Sequence, residues 1–150
     1  MQKPNTKTTN QNSKTEFKTR VYFHTVNSLK FLSAIPETRI NRIILAQLIR
    51  SLTSIGSNII EAKASNSKKD FARYFDIALK SANETKYWLC LLRDLNEFKY
   101  KAKLEEILKE TIEISNILAS SLLTMRNKKN IWGFLICGFD FWSLVFELKL

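Results

Sequence analysis

The chain has 150 residues, 45% apolar and 25% charged, with 24 Lys and Arg against 14 Asp and Glu for a net charge of +10. One domain with a core of ordinary size fits these figures. Three glycines and two prolines, against usual shares near ~7% and ~5%, exclude a turn-rich β-sandwich or barrel and leave no glycine cluster for a dinucleotide or phosphate loop.

A mostly helical protein is therefore expected, and its charge makes a polyanion (RNA, DNA or an acidic membrane face) a fitting partner. Residues 1–16 are Thr, Asn, Gln, Lys and Ser with almost nothing to bury, which predicts a disordered basic arm. No apolar signal core is present there. Cys90 and Cys137 lie far apart, with no CxxC or Cys/His spacing, so neither a disulfide scaffold nor a structural zinc site is expected and a reducing cytoplasm is the default.

Apolar residues at helical spacing begin at Phe17 and continue through Val21, Tyr22, Val26, Leu29 and Phe31–Leu32, predicting a first helix over about 17–33. Pro36 breaks it. A second helix follows over about 37–64, with Ile40, Ile43–Ile44, Leu48, Leu52, Ile55 and Ile59 as its stripe. Ser67-Lys68-Lys69-Asp70 has the Ser-x-x-acid form of a capping box and opens a third helix to about Asn96. That helix has one apolar face through Phe71, Tyr74–Phe75, Ala78, Ala82, Leu89 and Leu92, and a second through Ile77, Trp88, Leu91 and Leu95. Two apolar faces need two things to pack against, a core and a neighbouring subunit. A fourth helix over about 101–126 repeats Leu104, Leu108, Leu118, Leu122 and Met125, with Thr111 and Ser115 as polar members. Four helices with short connections give an all-α fold, an antiparallel up-down four-helix bundle over residues 17–126.

The last 20 residues, IWGFLICGFDFWSLVFELKL, form an aromatic-rich apolar tail within 127–150; fourteen of them are apolar. Asp140 interrupts the run, and at the centre of a membrane span it would cost about 2.5–3.5 kcal/mol. The tail is expected to dock on the core or a second subunit, or to remain a sticky extension, ahead of anchoring in a membrane.

Little here suits catalysis. His24 is the only histidine and no nucleophile motif surrounds any Ser or Cys, so no catalytic residue, metal site or cofactor is expected. Cys90 reads as a small buried hydrophobe. On the second helix Ser54, Asn58 and Glu61 fall at i, i+4 and i+7, one polar face on an apolar helix, and Ser81 with Glu84 falls on the third. Where these sets meet across a bundle they form a polar network that fixes register. Gly56, mid-helix at a cost of about 1 kcal/mol relative to Ala, suggests a close approach. Charge is uneven: residues 1–60 hold nine Lys and Arg against two acids, and residues 61–126 twelve against ten. Lys18, Arg20, Lys30, Arg39, Arg42 and Arg50 therefore carry the positive field of the first two helices and are candidates for phosphate contacts. A basic face serving solubility alone, on a scaffold for another protein, is the competing reading.

These residues also carry a resemblance. Leu45-Ala46-Gln47-Leu48-Ile49-Arg50 followed by Ser54-Ile55-Gly56-Ser57-Asn58-Ile59-Ile60-Glu61-Ala62 resembles the QLxR…S(I/V)PxNIAEG signature of bacterial four-helix-bundle proteins known as 23S rRNA intervening-sequence proteins. Ser67–Phe71, Arg73–Phe75, Ile77–Ala82 and Glu84–Leu89 are similar to that family's S..KEFxRFLxIAxGSxxE helix, and Leu92-Arg93-Asp94-Leu95 to its close. The likeness covers about residues 17–125. Gly56 stands where the family usually has Pro, and Ala62 where it often has Gly, so the course and end of the second helix are expected to differ. The resemblance implies an antiparallel bundle assembled as a ring-like homopentamer, without established catalysis. It extends to the accessory variability protein of diversity-generating retroelements, which binds nucleic acid and a reverse transcriptase. The partners expected are further copies of the chain, RNA or DNA, or another protein, with a membrane disfavoured.

Overall fold

The computed structural model describes residues 6–96 and 99–126, with side chains from Glu16 onward. Four helices run in order: α1 (Thr6–Leu32), α2 (Arg39–Ala64), α3 (Lys68–Leu95) and α4 (Lys101–Met125). No strand occurs among the described residues. The tail expected over 127–150 lies outside them, as do residues 1–5 of the expected arm.

The rest of that arm differs from expectation, because α1 is helical from Thr6. Adding a residue to an existing helix forms one hydrogen bond for one residue fixed, so a polar stretch can prolong a helix it could not nucleate. At Pro36 the chain breaks as the sequence predicts. Thr38 then caps α2, its hydroxyl accepting from the Asn41 amide at 3.1 Å. The Ser67 hydroxyl caps α3, accepting from the Asp70 amide at 3.0 Å. Asp70 closes this box differently from the usual form: its carboxylate accepts from the Ser67 hydroxyl at 2.7 Å instead of from a backbone amide.

Each helix runs antiparallel to the one before it. Along α2 and α3, Asn41 meets Asn96, Ser51 meets Thr85 and Ser54 meets Ser81, an antiparallel pairing along the whole interface. This is the most extensive interface; α3 on α4 is next, α1 rests mainly on α2, and α1 and α4 touch only sparsely. Small residues make the first interface close: Ala78 and Ala82 are fully buried, and Ser81 and Thr85 nearly or wholly so. Leu48, Leu52 and Ile55 of α2, Leu89 and Leu92 of α3, and Leu104, Ile114, Leu118 and Leu122 of α4 fill the core. Each such side chain contributes about 1.5–3 kcal/mol by leaving water. Although α2 is long and apolar enough to cross a membrane by length and composition, its apolar stripe forms this core.

Two sequence expectations need correcting. Ile40 and Ile43, assigned to the α2 stripe, are each 59% exposed, because the stripe enters the core only at Ile44. Leu95, on the second apolar face of α3, is also exposed in the single chain. Gly56 does not mark a close approach: α2 passes through it unbroken, and a Cβ there would meet only the Val21 side chain at an ordinary 3.8 Å. Gly56→Ala is accordingly expected to stabilise the fold by about 1 kcal/mol, read from the urea midpoint at unchanged slope.

Candidate nucleic-acid interface

The six candidate cations divide by what each already touches. The Arg20 guanidinium donates two hydrogen bonds to Glu110 on α4, Nε to Oε1 at 2.5 Å and Nη2 to Oε2 at 2.8 Å. This pairing raises the Arg20 pKa and lowers that of Glu110, the hydrogen bonds being the largest cause for both. Arg50 reaches Glu84 on α3 at 3.2 Å. Both pairs lie near the surface, where such a bridge contributes about 0–1 kcal/mol. They nonetheless leave Arg20 and Arg50 with charge already matched. Lys18, Lys30, Arg39 and Arg42 are exposed and form no ion pair among the described residues.

Topology gathers three of the four unpaired candidate cations, Lys30, Arg39 and Arg42, at one end. α1 finishes there with Lys30, α2 begins there with Arg39 and Arg42, and the α3–α4 connection crosses there with Lys99 and Lys101. Reciprocal amide bonds between Asn41 and Asn96, 3.1 and 3.2 Å, tie α2 to the end of α3, and the Phe31 and Tyr100 rings meet edge to face with centroids 6.1 Å apart. Lys99 sits over the Tyr100 ring, its Nζ 5.3 Å from the centroid. Neither α2 nor α4 has an acid in its first turn, and Tyr100 offers α4 no side-chain cap. The positive ends of both helix dipoles therefore add to the same field. Lys18 lies ~18 Å along α1 from Lys30, at 1.5 Å per residue, and stands apart from this group. Lys99 and Lys101 escaped the sequence reading because the ten acids of residues 61–126 masked them in a segment of nearly balanced charge.

Of the five residues expected in a polar network, three meet. The Ser81 hydroxyl donates to the Ile77 carbonyl at 2.9 Å, so at 2.9 Å from Ser54 it must accept. Ser54 in turn accepts from the Asn58 amide at 3.1 Å. Glu84 is on the same side but holds Arg50 and the Trp88 indole N–H, at 3.3 Å, not the hydroxyls. Glu61 is exposed and outside the network. The register that sets Ser54 against Ser81 brings Glu61 level with Tyr74, where a carboxylate stays in solvent. Ser51 and Thr85, buried and 3.0 Å apart, extend the ladder by a turn and were missed. Their pairing depends on register, which helical periodicity in one chain segment does not reveal.

The polar members of the α4 repeat find partners on α1 and α3. Thr111 donates to the Ile107 carbonyl at 2.8 Å and so accepts from His24 Nε2 at 3.0 Å, which fixes the neutral His24 tautomer with its proton on Nε2. Ser115 accepts from Lys86 Nζ at 3.1 Å, and burial pushes the Lys86 ammonium pKa down. Cys90 is buried, and burial raises its thiol pKa away from reactivity. Among the described residues no three His, Cys, Asp or Glu side chains converge on a point that could hold a metal.

Burial, the largest cause, lowers the His24 pKa from its usual 6.5; Arg20 adds to the shift and Glu110 opposes it. The unfolded chain thus binds this proton more readily than the folded one. The His24 contribution to stability is expected to be full above about pH 6.5 and to be lost as pH falls from there through the lower folded value. Chemical denaturation at a series of pH values should show this slope in the native chain and a flatter one in His24→Gln.

The sequence profile described as "23S rRNA-intervening sequence protein" matches residues 14–120. No curated protein shows significant similarity to the chain. The crystal structure of a protein of unknown function from the S23 ribosomal protein family of Bacteroides thetaiotaomicron is similar over 73% of this chain and 96% of that one, with 32% identity and a TM-score of 0.66. The profile spans most of the chain, all of α2 and α3 and the greater part of α1 and α4, and the bundle is shared with that structure; the chain belongs to the 23S rRNA-intervening sequence protein family.

Proposed function

We propose that this protein is a non-enzymatic, cytoplasmic helical bundle that assembles with further copies of itself and binds RNA through its basic surface. The observation that carries the reading is the set of exposed cations without carboxylate partners at one end of the bundle: Lys30, Arg39 and Arg42, joined by Lys99 and Lys101. Charges already paired would have to leave a carboxylate to reach a phosphate, whereas these need only release counterions. Binding is then directed at the backbone, weakly selective for sequence and steeply dependent on salt. Self-association is supported by exposed Ile40, Ile43 and Leu95, which lie where Asn41 and Asn96 tie α2 to α3. A second copy of the chain is the occupant we assign to that face, with the homopentamer implied by the family resemblance as the assembly.

Titration of the full chain with structured RNA, duplex DNA and polyglutamate, at low and near-physiological salt, tests the reading. Nucleic acid should bind with log K falling linearly in log salt, by about 0.7–0.9 per phosphate contacted. Absence of binding at low salt would overturn it and leave the net charge of +10 as a solubility device on a protein scaffold.

A further inference from the structure

Sparse contact between α1 and α4 leaves an open groove of about 860 Å³, with Phe23, His24, Ser28 and Phe31 on the α1 side and Ile107 and Lys109 on the α4 side. Its floor is chemically unfinished. Ser28 is only 1% exposed, yet its hydroxyl has no hydrogen-bond partner. Most other helical hydroxyls here donate to a carbonyl three or four residues back, as Ser51 does to Leu48, Thr25 to Val21 and Thr111 to Ile107. Ser28 does not, so its proton is available to a guest. One turn away on the same face, His24 is 8% exposed and has its Nε2 proton committed to Thr111, leaving Nδ1 as a bare acceptor. A donor and an acceptor thus stand side by side, four residues apart on one helix.

The groove's walls supply the rest. Phe23 is 56% exposed and meets the Tyr22 ring edge to face, leaving much of its own ring open to stacking. Phe31 is half-buried against Tyr100. Among the charged lining residues, Arg20 holds Glu110 and Lys103 holds Glu106, so Lys30 and Lys109 are the cations without an ion pair, and Glu113 the corresponding carboxylate. A flat heterocycle with adjacent N–H and acceptor atoms on one edge, carrying a phosphate, answers the Ser28–His24 pair, the open Phe23 ring and the two unpaired cations at once, with Glu113 the one lining charge it must avoid.

We propose that the α1–α4 groove receives an unstacked nucleobase, its edge set between the Ser28 hydroxyl and His24 Nδ1, its face against Phe23 and its phosphate at Lys30 and Lys109. Every base carries a donor beside an acceptor, so the pocket tolerates all four and adds affinity for single-stranded over duplex RNA. The inference rests on the RNA reading above and gives that surface a second, base-directed contact.

The test uses the full chain with AMP, UMP, inorganic phosphate and a short single-stranded RNA, followed by calorimetry and amide NMR shifts of α1. Saturable mononucleotide binding is expected, stronger than that of phosphate. Ser28→Ala should weaken it about fivefold, the worth of one hydrogen bond, and Phe23→Ala about tenfold through lost stacking. Ser28→Ala removes an unpaired buried hydroxyl, so the variant folds at least as stably and its lost binding is not unfolding. Mononucleotide binding no tighter than phosphate, or untouched by both substitutions, overturns the pocket. If those variants bind RNA normally while Arg39→Gln/Arg42→Gln does not, only the pocket falls. If no RNA binds at low salt, the basic-end reading falls, and mononucleotide binding alone decides the groove.

Discussion

Replacing Lys30, Arg39 and Arg42 together by glutamine is expected to weaken RNA binding at low salt by about two orders of magnitude and to flatten the log–log salt dependence by about two units. Each phosphate contact accounts for about 0.7–0.9 of that slope, and three cations without ion pairs are being removed. The fold should survive, since exposed substitutions without partners change stability by about 0.5 kcal/mol or less. Arg20→Gln and Arg50→Gln are the informative controls. Each strands a carboxylate, Glu110 or Glu84, and alters local charge without removing a free phosphate ligand, so their effect on affinity should be the smaller. Filter binding or fluorescence anisotropy across a salt series measures both slope and intercept. An unchanged slope in the triple variant would remove the basic end as the contact surface.

Much of the bundle was legible in the sequence because helix faces and breaks leave local marks. Pro36 and Ser67 announce helix boundaries within a few residues of themselves, and the caps at Thr38 and Ser67 stand within two residues of where the composition points. The core positions Leu48, Leu52, Leu89, Leu104 and Leu118 recur at helical spacing and are buried. What one segment cannot reveal is which residue stands opposite it. Arg20 and Arg50 count as free charge until α4 and α3 bring Glu110 and Glu84 to them. Ile40 and Ile43 continue a stripe that the neighbouring helices cover only from Ile44 onward. Lys99 and Lys101 join Arg39 and Arg42 solely because the α3–α4 connection crosses the same end of the bundle. The candidate surface was therefore half legible: the cations of α1 and α2 come from charge counting, their sorting into paired and free from tertiary contact.

Leu52→Ala and Leu95→Ala, the same chemical change on α2 and α3, are expected to differ widely. Leu52 is fully buried, and truncating it removes transfer free energy and leaves a cavity that the close α2–α3 packing cannot collapse, at a cost of about 2–5 kcal/mol. That is a large fraction of the roughly 5–15 kcal/mol that holds a domain together. The loss should be the same at every protein concentration if it arises within one chain. Leu95 is 54% exposed in the single chain, so Leu95→Ala should cost a dissociated protomer little. A second copy seated on the Ile40, Ile43 and Leu95 face changes this: the assembled state is then stabilised by mass action, and its melting temperature rises with protein concentration. Leu95→Ala should reduce that concentration dependence and shift the mass in sedimentation toward the protomer, while Leu52→Ala retains the dependence at a lower midpoint. Identical concentration dependence in Leu95→Ala and the native chain would place any self-association elsewhere, because a half-exposed leucine at the centre of an interface cannot be truncated without weakening it.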